Sequence, residues 1–194
     1  MLEEQENQMV VPDEKNNDVE LSTLNPGDVF ENGIGKFIVL EQGTTGTAVI
    51  SQELMRKGVR FDDGSPDYKT SSLRKLMNGE ILDELEEVFG AGNIIEHEVD
   101  LTTVDMQPDF GTCECKVRPI TFDEARKYND LLVNKEIGGW WWTCTPWSTE
   151  ERGWKYSVAV VAPSGGIDHY SCDSNCGVRP FCILKSNIFV SKEY

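Results

Sequence analysis

Short runs rich in β-branched and aromatic residues fill the second half of the chain, and they restrict the fold more than any other feature. These runs cover residues 140–144, 156–161, 167–170 and 178–184. Glycine- and proline-containing turns separate them, as at residues 163–166, so antiparallel hairpins are the simplest connections. No helical pattern alternates with these runs, which argues against a parallel β-α-β sheet.

The first half of the chain contains one further predicted hairpin. Residues 36–40 and 47–51 have the β-branched and aromatic composition of strands, and the glycine-rich segment 43–46 joins them. The sequence therefore predicts an antiparallel strand pair before the helices begin.

Three helices are predicted from their end signals. Ser71 or Ser72 caps a short helix that Asn78 and Gly79 end. The next helix ends at Gly90, and its apolar stripe consists of Ile81, Leu82, Leu85, Val88 and Phe89. The third begins with a capping box, in which the Thr121 hydroxyl and the Glu124 carboxylate each accept a backbone N–H of the other. Helices in the first half and strands in the second predict an α+β fold, a twisted antiparallel sheet with two to three helices and long loops.

The N-terminal segment differs from the rest in composition. Residues 1–24 carry seven acidic side chains against Lys15 alone and show neither helical nor strand period, so we expect an acidic flexible tail. The turn signal at residues 25–28 opens the folded part. The predicted organisation is a tail at 1–24 and one domain at 25–194.

Net charge limits the partners. Lys plus Arg number 18 and Asp plus Glu number 34, which gives a net charge of −16. This charge repels phosphate backbones, so we expect no nucleic-acid binding, and it favours a basic partner or simply keeps the protein in solution. No apolar run reaches the roughly 18–20 residues that span a bilayer, and the N-terminus lacks the pattern of a signal peptide. We therefore expect no membrane insertion, and a cytoplasmic or virion-associated protein.

Six cysteines are present, and their spacing does not match a structural zinc site. Cys113 and Cys115 are two positions apart and Cys172 and Cys176 four, whereas zinc knuckles use C-x-x-C. Without a signal peptide, free thiols are expected. We predict no metal and no cofactor.

Several motifs in this order resemble an uncharacterised domain family of Gram-positive bacteria and their phages. They are the strand pair at 37–51 ending in a serine, the helix SSLRKLMNG at 71–79, the tryptophan segment WWWTCTP at 140–146 and the strand GVRPF at 177–181. That family has a C-type-lectin-like fold and is distantly akin to formylglycine-generating enzymes. The resemblance covers roughly residues 27–185. It implies the fold but little about the function.

Aromatic and polar side chains in the late loops are the candidate ligand-binding residues. All five tryptophans lie between positions 140 and 154, and an exposed indole offers a large rigid contact surface with an N–H donor. Loops on a rigid sheet often carry recognition residues. The predicted set is Trp147, Trp154, His169, Tyr170, Asp173 and Asn175.

Three other residues are predicted to serve the fold. Arg179, inside the GVRP strand, has five donors suited to core carbonyls or a carboxylate. Gly177 serves a backbone need. Because strand residues alternate between faces, Trp141 faces away from Trp140 and Trp142, and at least one of the two faces should be core.

The main hypothesis is a non-catalytic module that recognises a protein or glycan. A second is a phage virion protein for adhesion or decoration, whose acidic tail docks on a virion or host component. A third is an enzyme related to formylglycine-generating oxidases, although Cys172, Cys176 and Cys182 do not align with their copper-binding pair. A nucleophilic pair of His169 and Cys172 is conceivable, but such a pair needs an activating environment.

One further segment imitates a known ligand set. Gln107-Pro108-Asp109 is like the tripeptide through which some lectins bind galactose by way of Ca²⁺. Those lectins also use a downstream Trp-Asn-Asp segment that this chain lacks. An ordinary proline turn is the simpler interpretation.

Overall fold

The structure, a computed structural model, describes residues 18–193. These residues form fifteen strands and four short α-helices, together with a 3-10 turn at Leu21–Thr23. The strands are β1 (Asp18–Glu20), β2 (Val29–Asn32), β3 (Gly35–Gln42), β4 (Thr47–Ser51), β5 (Arg56–Arg60), β6 (Ile94–Ile95), β7 (His97–Asp100), β8 (Thr112–Cys115), β9 (Val117–Arg118), β10 (Trp141–Pro146), β11 (Ser157–Val161), β12 (Ile167–Ser171), β13 (Asn175–Val178), β14 (Phe181–Leu184) and β15 (Phe189–Lys192). The helices are α1 (Ser72–Met77), α2 (Glu80–Phe89), α3 (Phe122–Lys127) and α4 (Asn129–Leu132).

The predicted α+β, C-type-lectin-like fold class is wrong, because the chain is mostly β. Strands make up 37% of it and helices 16%, and the main sheet is a curled antiparallel half-barrel. Among the helices of the described residues, only α2 is longer than six residues. The prediction failed because several strands, such as β6 and β9, are two residues long and show no alternation that a sequence pattern could reveal.

Two sheets make up most of the structure, with a separate ribbon of β7 and β8. The larger sheet has the order β1-β15-β2-β3-β4-β14-β6, with β9 also pairing with β14. The smaller has the order β12-β11-β10-β13-β5. Within residues 18–193, the strand pairs are antiparallel except for a single parallel contact between Trp141 of β10 and Gly177 of β13. The chain passes from the smaller sheet to the larger at Arg179-Pro180, between β13 and β14.

The locally predicted elements are confirmed. The glycine turn joins β3 and β4 as an antiparallel hairpin, and a second hairpin joins β11 and β12. Ser71 caps α1 by accepting the Arg74 N–H at 3.0 Å. Both bonds of the capping box are present at α3. The stripe of α2 buries Ile81, Leu85 and Phe89.

Strand β10 separates two apolar cores. Trp142 contributes to one core, where it meets Phe61 edge to face at 5.6 Å and donates to the Val59 carbonyl at 2.8 Å. Trp141 contributes to the other core. Both indoles are fully buried, so the two faces of β10 are core, not one alone.

Arg179 and Gly177 lie where this strand meets its neighbours. The Arg179 side chain is fully buried, donates to the carbonyls of Ser51 at 2.9 Å and Leu132 at 3.1 Å, and stacks over the Trp141 ring at 4.7 Å. Burial lowers the pKa of Arg179 to about 10. A Cβ at Gly177 would come within 2.6 Å of the Leu54 methyl groups, so the position favours glycine.

The predicted boundary of the tail at residue 24 lies inside the folded part. β1 pairs with β15, and the side chains of Leu21 and Leu24 are buried. Burial of Leu21 and Leu24 helps to offset the conformational entropy lost when this segment becomes ordered, and the acidic composition of the segment gave no sign of it. Residues 1–17 of the predicted tail lie outside the described residues. No helix in residues 18–193 is long and apolar enough to cross a bilayer.

Candidate functional site

Three of the predicted ligand-binding rings meet at one place on the surface. The centroids of Trp147 and His169 are 4.8 Å apart, those of Trp154 and His169 4.7 Å, and the two indoles 6.4 Å. Trp154 is 39% exposed, whereas Trp147 and His169 are half-buried. We call these three residues the aromatic surface.

The aromatic surface joins an irregular segment to an edge strand. Between Trp142 and Pro146, β10 advances four residues while its partner β11 advances two, and such irregularities commonly redirect side chains near binding sites. The chain then turns, with the Trp147 N–H bound to the Ser157 carbonyl and the Trp154 N–H bound to the Thr149 carbonyl. His169 belongs to β12, at the edge of the smaller sheet. Backbone hydrogen bonds therefore hold both sides of the aromatic surface.

Asp105 braces the segment that carries the two indoles. Its carboxylate accepts from the Ser148 hydroxyl at 2.7 Å and the Arg152 guanidinium at 2.9 Å, and also from Thr103 at 2.6 Å. Asp105 was not predicted from the sequence, because more than forty positions separate it from Ser148 and no motif joins them. Asp105 is the positioning residue of this loop.

The charges beside the aromatic surface are mixed. Glu150 pairs with Lys155 at 2.8 Å, and Asp168 is an exposed neighbour of His169. A neutral or amphipathic ligand fits such a rim better than a strongly charged one, since paired charges leave little net field.

The other three predicted ligand residues lie apart from these rings. Tyr170 follows His169 in β12 and therefore faces the other way, where it packs on Trp140 at a centroid distance of 5.5 Å. Asp173 and Asn175 are exposed in and after the next turn. The structure thus divides the predicted site into two groups.

A buried ionic cluster lies at the first turn of α3. Arg118 donates to both carboxylate oxygens of Glu124 at 2.6 Å and to His97 Nε2 at 3.0 Å. Burial alone would lower the pKa of Arg118, but the Glu124 carboxylate outweighs it and holds that pKa above its usual value. Burial and the charge of Arg118 lower the pKa of His97. His97 Nδ1 faces the Ile95 carbonyl at 3.2 Å, so both nitrogens of the ring have a partner within the protein.

Burial leaves Cys172, Cys176 and Cys182 without an activating environment. All six are buried and free. Burial raises the pKa of Cys176 and of Cys182 to about 12, and it also raises the pKa of Cys172. A thiol with a raised pKa stays protonated and is a poor nucleophile or metal ligand.

Residues that could hold a metal do not converge in the part of the chain that the structure describes. Within 18–193, no three His, Cys, Asp or Glu side chains form a group suited to an ion. At the lectin-like tripeptide, the Gln107 amide donates to the Asp105 carbonyl at 3.0 Å, and the Gly111 N–H bonds to the Pro108 carbonyl. These bonds describe a closed turn.

Residues 98–186 match a family described as a domain of unknown function (DUF6273). The matched span is somewhat less than half of the chain, and it includes the aromatic surface and the GVRP strand. No curated protein and no solved structure matches the chain.

Proposed function

We propose that this protein is a non-catalytic recognition module that binds a protein or glycan ligand through the aromatic surface of Trp147, Trp154 and His169. The observation that carries the proposal is the contact of these three rings, which come from two separate elements and leave one indole 39% exposed. Large exposed aromatic residues are enriched at binding sites, because they offer contact area with little loss of side-chain entropy.

Preorganisation supports this proposal. The two indoles lie in a loop that Asp105 braces through Ser148 and Arg152, so little ordering remains for the moment of binding. An indole face suits the C–H face of a sugar ring or an apolar side chain of a protein. Around the rings, Glu150 is paired with Lys155 and Asp168 is exposed, and such polar groups suit the hydroxyl groups of a sugar or the peptide groups of a protein.

The raised thiol pKa values favour recognition over cysteine chemistry. Cys172, the partner that the sequence suggested for His169, has a buried thiol, and His169 packs on two indoles. A cysteine nucleophile needs a lowered pKa and an adjacent base that orients it.

The proposal is tested by comparing two alanine variants on a printed glycan array and a displayed random-peptide library. We expect the wild type to select a ligand class, and Trp154→Ala to lose it with an unchanged unfolding midpoint, because the ring is partly exposed. The matched control is Phe189→Ala, which removes an aromatic side chain that is 70% exposed on β15. Equal binding by wild type and Trp154→Ala, or no selected ligand on either library, would refute the proposal.

A further inference from the structure

A second surface lies beyond the aromatic surface, on the other side of β12. It is a shallow groove of about 340 Å³, at the lower end of the roughly 300–1,000 Å³ of ligand pockets. Its walls include the rings of Trp140 and Tyr170, tilted at 42° to each other. We call it the glycine groove, because Gly58, Gly138, Gly139 and Gly177 contribute to its lining.

The glycines open this groove to a ligand. A Cβ on Gly58 or Gly139 would meet no atom within 4 Å, and one on Gly138 would meet only the Lys57 ammonium at 3.6 Å. These glycines therefore leave space at the surface. The packing around Gly139 does not itself require a glycine at that position. Backbone N–H and C=O groups without a covering side chain can approach a ligand closely.

A β-bulge places a cation at this groove. From Cys176 to Val178, β13 advances two residues while β5 advances three, and Gly58 has φ of +67° in the extra step. Bulges of this kind redirect side chains. The neighbouring residue is Lys57, whose ammonium lies beside Gly138.

Lys57 differs from the other cations of its strand. Arg56 pairs with Glu80, and Arg60 pairs with Asp63, but Lys57 forms no ion pair with any carboxylate in residues 18–193. In a chain with a net charge of −16, an uncompensated ammonium beside two aromatic walls is a local exception to the overall field. It complements a negative charge.

We infer that the glycine groove is a second binding site, and that it takes a sugar ring bearing a carboxylate. The faces of Trp140 and Tyr170 contact the C–H face of the ring, Lys57 binds the carboxylate, and the Asn175 amide bonds to hydroxyl groups. The inference goes beyond the proposed function, because Tyr170 and His169 face opposite ways and the two surfaces share no residue.

Lysines on edge strands also prevent unwanted strand pairing, and β5 is an edge strand. Reversing the charge of the side chain at position 57 separates the two roles of Lys57. A charged glutamate also protects an edge strand, but it repels a carboxylate. Lys57→Glu therefore keeps the protective role and removes the binding role.

The probes are trisaccharides of galacturonate, glucuronate and mannuronate, together with their methyl esters, titrated by calorimetry. The esters keep each ring but remove its charge. We expect at least one uronate to bind, and its ester to bind about tenfold more weakly or worse, because a charge-assisted hydrogen bond is lost. Lys57→Glu should weaken uronate binding by at least about the same factor.

Gly139→Leu should abolish binding by filling the groove. Gly64→Leu is its matched control, since a Cβ there also meets no atom within 4 Å and Gly64 does not line the groove. Trp154→Ala should bind the uronate normally. The inference is overturned if no uronate binds the wild type, if ester and acid bind equally, or if Gly139→Leu binds as well as Gly64→Leu. Loss of uronate binding in Trp154→Ala but not in Lys57→Glu would move the ligand to the aromatic surface and leave the proposed function standing.

Discussion

At the scale of single residues, the balance of charge differs between the two buried arginines. Arg118 has a carboxylate partner in Glu124, whereas Arg179 has two carbonyls and the Trp141 ring. Burial of an unpaired charge favours the neutral form, which is why the pKa of Arg179 falls to about 10 while that of Arg118 rises. Burial and the charge of Arg118 make His97 sensitive to acid, since a protonated ring would be poorly solvated and would face the guanidinium with a second positive charge.

The acid sensitivity gives a first prediction. The pKa of His97 is lower in the folded protein than the roughly 6.5 of an unperturbed histidine, so the unfolded chain takes up the proton first. Its contribution to stability is therefore complete above about pH 6.5 and declines as the pH falls through that value, by at most about 1.4 kcal/mol per pH unit. We expect urea unfolding curves to show a smaller loss of stability between about pH 7 and pH 5 in His97→Gln than in the wild type. Parallel pH profiles for the two proteins would show that another group is responsible.

At the scale of elements, α3 depends on its first turn. Glu124 accepts the Thr121 N–H at 2.7 Å and also binds Arg118, so the capping box ties the helix to the buried ionic cluster. The loop that carries the indoles has no helix or strand of its own between Pro146 and Ser157 and depends on Asp105. Loss of Thr121 should therefore affect α3 locally, and loss of Asp105 should affect the loop locally.

Replacing the cap tests the first of these dependences. Thr121→Ala should lower the free energy of unfolding by roughly 0.5–2 kcal/mol, because the Glu124 N–H loses its acceptor. Chemical denaturation measures this change. Thr44→Ala, in the exposed turn between β3 and β4, is the control and should stay near the wild type. An equal stability for both variants would contradict the role of the capping box.

Replacing Asp105 tests whether the loop that carries the two indoles depends on it. Asp105→Ala should speed amide hydrogen exchange in residues 147–154, because Ser148 and Arg152 lose their common acceptor. Exchange in α2, far from the loop in sequence, should not change. Asp123→Ala removes an exposed ion pair to Arg126 and serves as the control. Unchanged exchange in 147–154 would mean that Asp105 does not position the loop.

At the scale of the whole molecule, like-charge repulsion opposes the compact state. Acidic side chains follow one another along the outer face of α2, where Asp83 and Glu87 are exposed and one turn apart. Arg56 and Lys116 neutralise part of this face by pairing with Glu84 and Glu86. The net charge of −16 leaves an excess that no local pair removes.

Salt should therefore stabilise the protein. The Debye length falls from about 30 Å at 0.01 M to about 8 Å at 0.15 M, so long-range repulsion is screened while short ion pairs are affected less. We expect a higher thermal unfolding midpoint in sodium chloride at about 0.15 M than at about 0.01 M. Chloride is the appropriate salt, because sulfate stabilises proteins by exclusion from their surface. A midpoint that falls with added chloride would contradict this prediction.

The sequence alone determined the elements whose causes are local. The cap at Ser71, the capping box at Thr121 and the two hairpins depend on contacts within a few residues, so they were predictable from their own segments. The apolar stripe of α2 was predictable for the same reason. The presence of aromatic side chains in the loop after β10 could also be read from the sequence, because Trp147 and Trp154 lie outside the predicted strands.

Only the tertiary structure decided the fold class and the division of the site. β15 pairs with both β1 and β2, and β13 pairs with β5, so these pairings join segments far apart in the chain. Very short strands also lack the alternating pattern by which a strand is predicted from sequence. The alternation of β12 separates Tyr170 from His169, and the position of Asp105 against Ser148 depends on how distant loops pack. These contacts are long-range, and their energy depends on which surfaces the whole chain buries together, which no local pattern records.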